Sequence, residues 1–169
     1  MNAVLEEWNK VDENSATDAM LACCGARRWA AGMVALRPIA NVAALSEAAD
    51  SVWASMGELD WLEAFACHPR IGERKGAPAT LQSTAWSEQE QSGTGGASSS
   101  VLRELAEGNA LYEQRFGFTY IVCATGKSAD EMLAILKRRL ARDRMAELKE
   151  AAEQQRQIMQ IRLGKWLLS

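Results

Sequence analysis

Apolar residues recur every three or four positions along most of the chain, and this spacing favours α-helices over strands. One clear case follows Asn41, a typical N-cap residue, with Leu45 and Ala49 on the same helical face. Gly57 is placed to end that helix as its C′ residue. The only extended run is 120–123, and one short strand does not make a sheet. The pattern therefore predicts a chain that is helical almost throughout.

Later helices are marked by their capping residues. The serines at 98–100 offer an N-cap for one helix, and Ser128 with Glu131 forms a capping box for the next. A long final helix is predicted from about Arg144 to Leu167, with a solvated outer face of charged and amide residues. The residues that recur along the opposite face of this helix are Leu148, Ala151, Gln155, Ile158, Arg162 and Trp166.

The size and charge of the chain exclude several classes of protein. Its 169 residues fit one domain, which we expect to cover 1–169. The formal net charge of −3 and the mixing of acids with bases do not suit a nucleic-acid binder. Charges interrupt each apolar run before it reaches the roughly 20 residues of a membrane span. Glu6 and Glu7 near the start do not suit a signal peptide, so the expected location is the cytoplasm.

The four cysteines are expected to be reduced and mostly buried thiols. Cys23 and Cys24 are adjacent, which places them poorly for pairing with each other, and no C-x-x-C spacing involves Cys67 or Cys123. With a single histidine in the chain, a zinc site would need an unusual cysteine-rich set of ligands. The sequence therefore predicts no metal site.

Two segments depart from the helical pattern and mark the middle of the chain as the place for a functional site. Residues 67–86 are rich in glycine, proline and basic side chains, and 92–100 form a connection rich in glycine and serine. A short helix beginning at Ser87 is expected between them. Loops on a rigid helical scaffold are where binding and catalytic residues concentrate.

His68 is the only histidine and the first candidate for chemistry. Pro69 disfavours helical dihedrals at His68, so the ring is expected to emerge where a helix ends. Imidazole titrates near neutral pH and suits proton transfer better than other side chains. The alternative is a histidine that caps the preceding helix and forms only local hydrogen bonds.

The run from Ser87 to Gln91 allows two interpretations. Ser87 and Glu90 match a capping box, which is enough to explain both residues. Alternatively, Glu90 and Gln91 project from the first turn of a helix toward a pocket, where backbone N–H groups favour an anion.

Arg162 and the aromatic residues around Gly117 each allow a structural and a functional interpretation. Arg162 has apolar neighbours in the sequence. As a structural residue, it would extend along them to solvent or pair with an acidic side chain. As a functional residue, it would present its donors to a substrate. The aromatics around Gly117 are explained by core packing. As part of a site, Gly117 would let a ligand approach backbone N–H groups, with Phe118 as an apolar wall.

Taken in order, these pieces resemble the 2-oxo-4-hydroxy-4-carboxy-5-ureidoimidazoline (OHCU) decarboxylase family. The resemblance runs from about Leu62 to the C-terminus, and the N-terminal third agrees mainly in its helical pattern. The motifs that carry it are His68-Pro69-Arg70-Ile71-Gly72, Ser87-x-x-Glu90-Gln91, Arg115-Phe116-Gly117-Phe118 and Ile158-x-x-Ile161-Arg162-Leu163.

The resemblance implies an all-α, single-domain helical bundle that uses no metal and no organic cofactor and forms a homodimer. It also implies conversion of the small anionic ureidoimidazoline to (S)-allantoin with loss of carbon dioxide, as a step of urate breakdown. His68 would be the catalytic acid or base, and Glu90 would orient the substrate and hold the protonation state of the imidazole. The implied binding residues are Pro69, Ser87 and Gln91, the backbone of Gly117, Phe118, Thr119, Tyr120 and Ile121, and Arg162 for the anionic or ureido end.

Two other functions stay open at this point. Another enzyme of purine breakdown, such as a hydrolase of a cyclic ureide, would need an activated water, which is usually held by a metal or a second acid/base pair. A helical binding module without enzymatic activity would present an exposed apolar stripe, for instance along the last helix.

Overall fold

The computed structural model describes residues 1–72 and 81–169, and over these ranges the chain consists of helices joined by turns and irregular segments. None of the described residues lies in a β-strand, and the extended run 120–123 is irregular backbone. The predicted helical character is confirmed. The helices are α1 (Ala3–Trp8), α2 (Glu13–Cys23), α3 (Arg27–Ala35), α4 (Val42–Ala54), α5 (Glu58–Ala66), α6 (Leu81–Glu90), α7 (Ser99–Phe116), α8 (Ala129–Arg139) and α9 (Arg144–Trp166).

Side-chain caps start the helices where the sequence predicts them. The Asn41 side chain accepts a hydrogen bond from the Ala44 N–H at 2.9 Å, which caps α4. Ser98 caps α7 in the same way, and Ser128 caps α8 by accepting from the Glu131 N–H at 3.1 Å. Each cap satisfies one of the backbone donors that a helix start leaves unpaired.

The prediction that Gly57 ends a helix is wrong. Helix α4 stops at Ala54 with Ser55 as its C-cap. The Gly57 carbonyl instead accepts from the Trp61 N–H at 3.1 Å, while its own N–H donates to the Asp60 carboxylate at 3.0 Å. Gly57 therefore lies directly before the first residue of α5, where the carboxylate of the first turn satisfies its backbone donor.

The two segments predicted as loops contain more regular structure than expected. Residues 73–80 of the first segment lie outside the described ranges, and α6 already begins at Leu81. The second segment contains a 3₁₀ turn at Ser92–Thr94 before α7 begins at Ser99. A Cβ built on Gly93 would lie 2.2 Å from the Lys127 carbonyl oxygen, so close backbone approach explains that glycine.

The chain divides into two compact units, of which the first comprises Met1–Ala64 and Arg156–Ser169. Its core is rich in tryptophan: the Trp8 and Trp166 rings meet edge-on with centroids 5.9 Å apart. The Trp29 indole N–H donates to the Ala49 carbonyl at 3.1 Å, which satisfies the polar atom of a fully buried side chain.

The second unit comprises Phe65–Gln155 and has an aromatic cluster at its core. The Tyr112 ring lies 4.6 Å from Phe116, 5.7 Å from Phe118 and 5.4 Å from Tyr120 between centroids. Helices α7 and α8 pack together in this unit, and a Cβ on Gly108 would meet the Leu136 side chain at 2.6 Å. Gly108 therefore permits the close approach of these two helices.

A buried ion pair adjoins the aromatic cluster. Arg139 donates to the Glu147 carboxylate at 2.9 Å, and both side chains are almost fully buried. The Tyr112 hydroxyl donates to the same carboxylate, and Arg139 also donates to the Ile121 carbonyl. Burial, and after it the neighbouring Glu147 carboxylate, raises the pKa of the Tyr112 phenol against the opposing effect of Arg139. The phenol is therefore a permanent donor to Glu147.

The stripe predicted along α9 is confirmed, because all six of its members are buried. It is thus not the exposed apolar stripe that a binding module would present. Among the described residues no helix combines the length and the apolar character needed to cross a membrane.

We expect Glu147→Leu to lower the free energy of unfolding by about 3–5 kcal/mol, because it leaves the Arg139 charge buried without its carboxylate. The control is Glu104→Gln, which breaks the exposed Lys137–Glu104 pair and should cost less than about 1 kcal/mol. Urea unfolding of the three proteins measures both differences. Equal losses in the two variants would contradict a dominant role for the buried pair.

Candidate active site

His68 lies just beyond the end of α5, as the sequence predicts. Helix α5 ends at Ala66, and the His68 N–H donates to the Phe65 carbonyl at 3.1 Å. The ring is half-buried, and its Nε2 lies 2.7 Å from the side-chain oxygen of Gln155. The imidazole therefore has a partner from α9 that lies 87 positions further along the chain, so the alternative of purely local hydrogen bonds is wrong.

Gln155 contacts the candidate catalytic histidine, and its sequence pattern did not single it out. It belongs to the buried stripe of α9 and is fully buried. Its Oε1 approaches His68, whereas Gln155 Nε2 has no hydrogen-bond partner among the residues that the structure describes. The sequence did contain a sign of this contact, namely an amide residue within an otherwise largely apolar helical face. A buried amide needs a specific hydrogen-bond partner.

The segment that follows His68 is anchored by side-chain amides. Asn109 of α7 donates to the Ile71 carbonyl at 3.0 Å, and Gln91 accepts from the Gly72 N–H at 3.0 Å. Gly72 has φ of +88°, a conformation that favours glycine. Arg70 forms an exposed ion pair with Glu113 of α7 at 2.6 Å. The structure thus brings the 68–72 segment and Gln91 together, as the ordered motifs lead us to expect.

The capping box predicted at Ser87 is wrong. Helix α6 begins at Leu81 and ends at Glu90, so Ser87 and Glu90 lie in its last turns. The favourable N–H groups of a first turn therefore do not lie beside Glu90. The helix extends further back because Ser83, Trp86, Ser87 and Glu90 share one buried face at helical spacing, and that burial outweighs the local cap signal.

The buried face of α6 is nevertheless consistent with a binding role for its polar members. Ser87 is 5% exposed and Glu90 is 9% exposed. Polar groups are buried in this way only when they are hydrogen-bonded or paired. Ser87 and Glu90 each interact with other groups of the protein. They lie near the C-terminal end of α6, and their role in binding stays a prediction.

The backbone after α7 turns sharply at Gly117. Gly117 ends α7 in the left-handed conformation with φ of +82°, and its N–H donates to the Glu113 carbonyl at 2.8 Å. Phe118 then packs against Phe65, with ring centroids 5.5 Å apart. Because Phe65 lies three residues before His68, this contact places the irregular segment beside the end of α5.

The rest of this segment is firmly positioned. Thr119 is half-buried, and Tyr120 and Ile121 are buried. The Tyr120 hydroxyl donates to the Met132 carbonyl at 3.0 Å. The Ile121 carbonyl accepts a hydrogen bond from Arg139. The Cys123 N–H donates to the Gln154 side chain at 2.8 Å. Helices α8 and α9 therefore both hold the backbone that the family resemblance assigns to substrate binding.

Arg162 belongs to the first unit. Its side chain is 4% exposed, so it does not extend along its neighbours to solvent. One guanidinium nitrogen donates to the Ala22 carbonyl at 3.3 Å. Burial raises the pKa of the nearby Cys23 thiol to about 12, with the Arg162 charge acting in the opposite direction. Cys23 is therefore a neutral thiol at physiological pH.

The cysteines follow the expectation of reduced and mostly buried thiols. None of the four forms a disulfide; Cys23, Cys24 and Cys123 are buried and Cys67 is half-buried. Within 1–72 and 81–169, no three histidine, cysteine, aspartate or glutamate side chains are grouped closely enough to hold a metal ion.

Replacing Gly117 by alanine should destabilise the protein by about 1–2 kcal/mol, because a Cβ disfavours its left-handed backbone. Gly164→Ala is the control, since Gly164 is an exposed helical position with nothing near the added Cβ. That variant should be unchanged or gain up to about 1 kcal/mol in helix propensity. Thermal and denaturant unfolding compare the two. A Gly117→Ala protein as stable as Gly164→Ala would refute the strain argument.

Comparison with known protein families gives a match over most of the chain. The family model described as OHCU decarboxylase matches residues 9–164. The uric acid degradation bifunctional protein TTL of Arabidopsis thaliana is 37% identical over 149 residues, which cover 88% of this chain and 46% of that protein. The uric acid degradation bifunctional protein PucL of Bacillus subtilis is 26% identical, with coverages of 95% and 32%. The chain therefore spans less than half the length of these two relatives.

Two further matches extend over nearly the whole length of the protein compared. The 2-oxo-4-hydroxy-4-carboxy-5-ureidoimidazoline decarboxylase of Haloferax volcanii is 24% identical, and the match covers 95% of this chain and 94% of that protein. A crystal structure of OHCU decarboxylase in the presence of (S)-allantoin matches with a TM-score of 0.78 and 34% identity, over 90% of this chain and 99% of that one. A structure of (S)-allantoin synthase, at 16% identity and a TM-score of 0.72 over 96% of this chain and 53% of that one, shares the fold.

Proposed function

Because the chain belongs to the OHCU decarboxylase family, we propose that it decarboxylates 2-oxo-4-hydroxy-4-carboxy-5-ureidoimidazoline to (S)-allantoin without a cofactor. The observation that carries this proposal is the family match over 9–164, which includes His68 and the polar residues around it. The 34% identity to a solved OHCU decarboxylase over nearly its full length also supports the proposal. The all-α fold that the family resemblance implies is confirmed by that structural match.

The first step breaks the bond between the ring carbon and the carboxylate carbon. Carbon dioxide leaves, and the bonding electron pair stays on the ring carbon, where a neighbouring C=N or C=O delocalises it. Because the substrate contains this electron sink, neither pyridoxal nor thiamine chemistry is needed. Donors fixed near the oxygen or nitrogen that gains the charge lower the barrier, as in an oxyanion hole.

The second step transfers a proton to that ring carbon from one face. We assign this transfer to His68, whose imidazolium loses a proton and becomes neutral as the carbon is protonated. A single proton donor on one side of the ring determines the handedness of the product. His68 suits this role because its ring lies between the end of α5 and an amide of α9, which restricts the orientation of the imidazole.

Glu90 is proposed to orient the substrate and hold the protonation state of the imidazole. Its carboxylate lies on the buried face of α6 one turn after Ser87, and Gln91 follows directly. Ser87, Gln91 and Pro69 would line the pocket. Gln91 is anchored through the Gly72 N–H, which keeps its amide beside the histidine segment.

The remaining contacts involve backbone donors and a buried cation. Backbone groups of Gly117, Phe118, Thr119, Tyr120 and Ile121 are proposed to bind the ring carbonyls. The anchoring of Cys123 by Gln154 and of Ile121 by Arg139 supports this, because a rigid backbone positions donors before the charge develops. Arg162 is proposed to bind the anionic or ureido end, since its guanidinium is already removed from bulk water.

The wider setting of the activity is also a proposal. We place the protein in urate breakdown in the cytoplasm, as a single domain over 1–169 that acts as a homodimer. Two relatives, named as bifunctional proteins of uric acid degradation, support the pathway.

His68→Asn should lower the enzymatic rate by about a hundredfold or more, because the variant lacks the proton donor. The substrate is formed in place from urate by urate oxidase and hydroxyisourate hydrolase, and circular dichroism follows the chirality of allantoin. The wild-type protein should rapidly give one enantiomer, whereas the variant should approach the spontaneous formation of racemic product.

The control is Leu59→Ala, a change at an 84% exposed position of α5, which should keep the wild-type rate. Thermal unfolding of all three proteins checks that they fold. A wild-type rate equal to spontaneous decay would reject the decarboxylase. Full stereoselective activity in His68→Asn would instead remove His68 from the mechanism.

A further inference from the structure

The proposed mechanism uses the side-chain oxygen of Gln155 to orient His68 but assigns no role to the NH₂ group of the same amide. Gln155 is fully buried, and its Oε1 lies 2.7 Å from His68 Nε2. Its Nε2 is a buried donor with no hydrogen-bond partner in the described part of the chain. Buried polar atoms are nearly always paired, so such an atom next to the candidate catalytic ring needs an explanation.

The contact with His68 determines which ring nitrogen carries the hydrogen. An amide oxygen has lone pairs and no hydrogen, so the hydrogen between the two atoms must come from the imidazole. The neutral ring is then protonated on Nε2 and has its lone pair on Nδ1. In histidine sites, the hydrogen bond at one ring nitrogen determines the state of the other.

The amide nitrogen is attached to the same carbon as the oxygen that contacts His68. Any oxygen atom that binds this nitrogen therefore lies close to the imidazole. The proposed substrate has carboxylate, carbonyl and hydroxyl oxygens that can accept such a hydrogen bond, and its ureido group adds another. The neutral amide offers a donor without adding a charge that would repel an anion.

We infer that Gln155 is a positioning residue for His68, with its Oε1 holding the Nε2–H of the ring and its NH₂ group donating to an oxygen of the bound substrate. The second half of this inference rests on the proposed function. The first half depends only on the geometry of the two side chains.

The single histidine of the chain makes the first half directly measurable. In protein labelled with ¹⁵N at histidine, NMR at a pH where the ring is neutral should show one ring N–H, attached to Nε2 and slow to exchange with water. In Gln155→Met, which keeps a side chain of similar length but has no amide, this proton should exchange about tenfold faster or more. In Gln155→Glu, which keeps an acceptor, it should stay protected.

Gln154→Met is the matched control for the ring signal. Gln154 is the neighbouring residue on α9, but its oxygen accepts from the Cys123 N–H rather than from His68. This variant should leave the His68 ring signal as in the wild-type protein. Thermal unfolding shows whether each variant is folded.

Kinetics with the same in-place substrate test the second half. Gln155→Met should raise KM, because methionine lacks the NH₂ donor, and it should lower kcat by about tenfold to a hundredfold, because the imidazole is no longer oriented. Gln155→Glu should mainly raise KM, by about tenfold, because a second carboxylate oxygen replaces the donor and repels the anionic substrate.

The outcomes separate the two halves and the proposed function. A wild-type ring protonated on Nδ1, or an unchanged ring proton in Gln155→Met, would overturn the positioning role. Unchanged KM in both Gln155 variants would overturn the contact with substrate. A wild-type protein without decarboxylase activity would reject the proposed function and the substrate contact, while the NMR result would still decide the link between Gln155 and His68.

Discussion

The carboxylate of Glu147 is the constraint on which the second unit depends. It is fully buried near the start of α9 and accepts hydrogen bonds from Arg139 of α8 and Tyr112 of α7. Arg139 also holds the Ile121 carbonyl, so one charge pair links three helices to the backbone after α7. A buried ion pair of this kind adds little net stability over apolar packing, but removal of one partner is costly. Its main effect is to hold these four elements in one arrangement.

Three neutral amides contact the segment around His68. Gln155 of α9 contacts the imidazole, Asn109 of α7 holds the Ile71 carbonyl, and Gln91 at the end of α6 holds the Gly72 N–H. The segment is irregular, so its backbone groups cannot satisfy one another as they do in a helix. Side-chain amides satisfy them instead, because an amide offers both a donor and an acceptor.

Local sequence patterns were sufficient to predict where several of the helices begin. Asn41, Ser98 and Ser128 cap helices as predicted, since a cap depends only on residues within one turn. The capping-box pattern at Ser87 gave a wrong prediction because it, too, considers only residues within one turn. A serine three residues before a glutamate is a cap only if no helix precedes it, and here a buried face extends α6 back to Leu81. The prediction for Gly57 was wrong for a similar reason, because its N–H donates to the Asp60 carboxylate at the start of the next helix.

The geometry of the candidate site was predictable only in part. His68 and Gln91 were identified from their motifs, and the structure joins them through Gly72. Gln155 was visible in the sequence only as one member of a helical stripe. Periodicity indicates that such a residue is buried, but it does not identify the partner of a buried amide, which here lies 87 residues away. Long-range pairing of this kind depends on how the helices pack and not on local spacing.

The choice of amides over carboxylates next to the histidine has a physical consequence. A carboxylate at position 155 would favour the imidazolium and would repel an anionic substrate, because opposite charges stabilise and like charges disfavour each other at short range. A glutamine orients the same ring nitrogen without either effect. Under the proposed function, Gln155 thus orients His68 with a neutral group, so that position 155 contributes no charge that would favour the imidazolium or repel the anion.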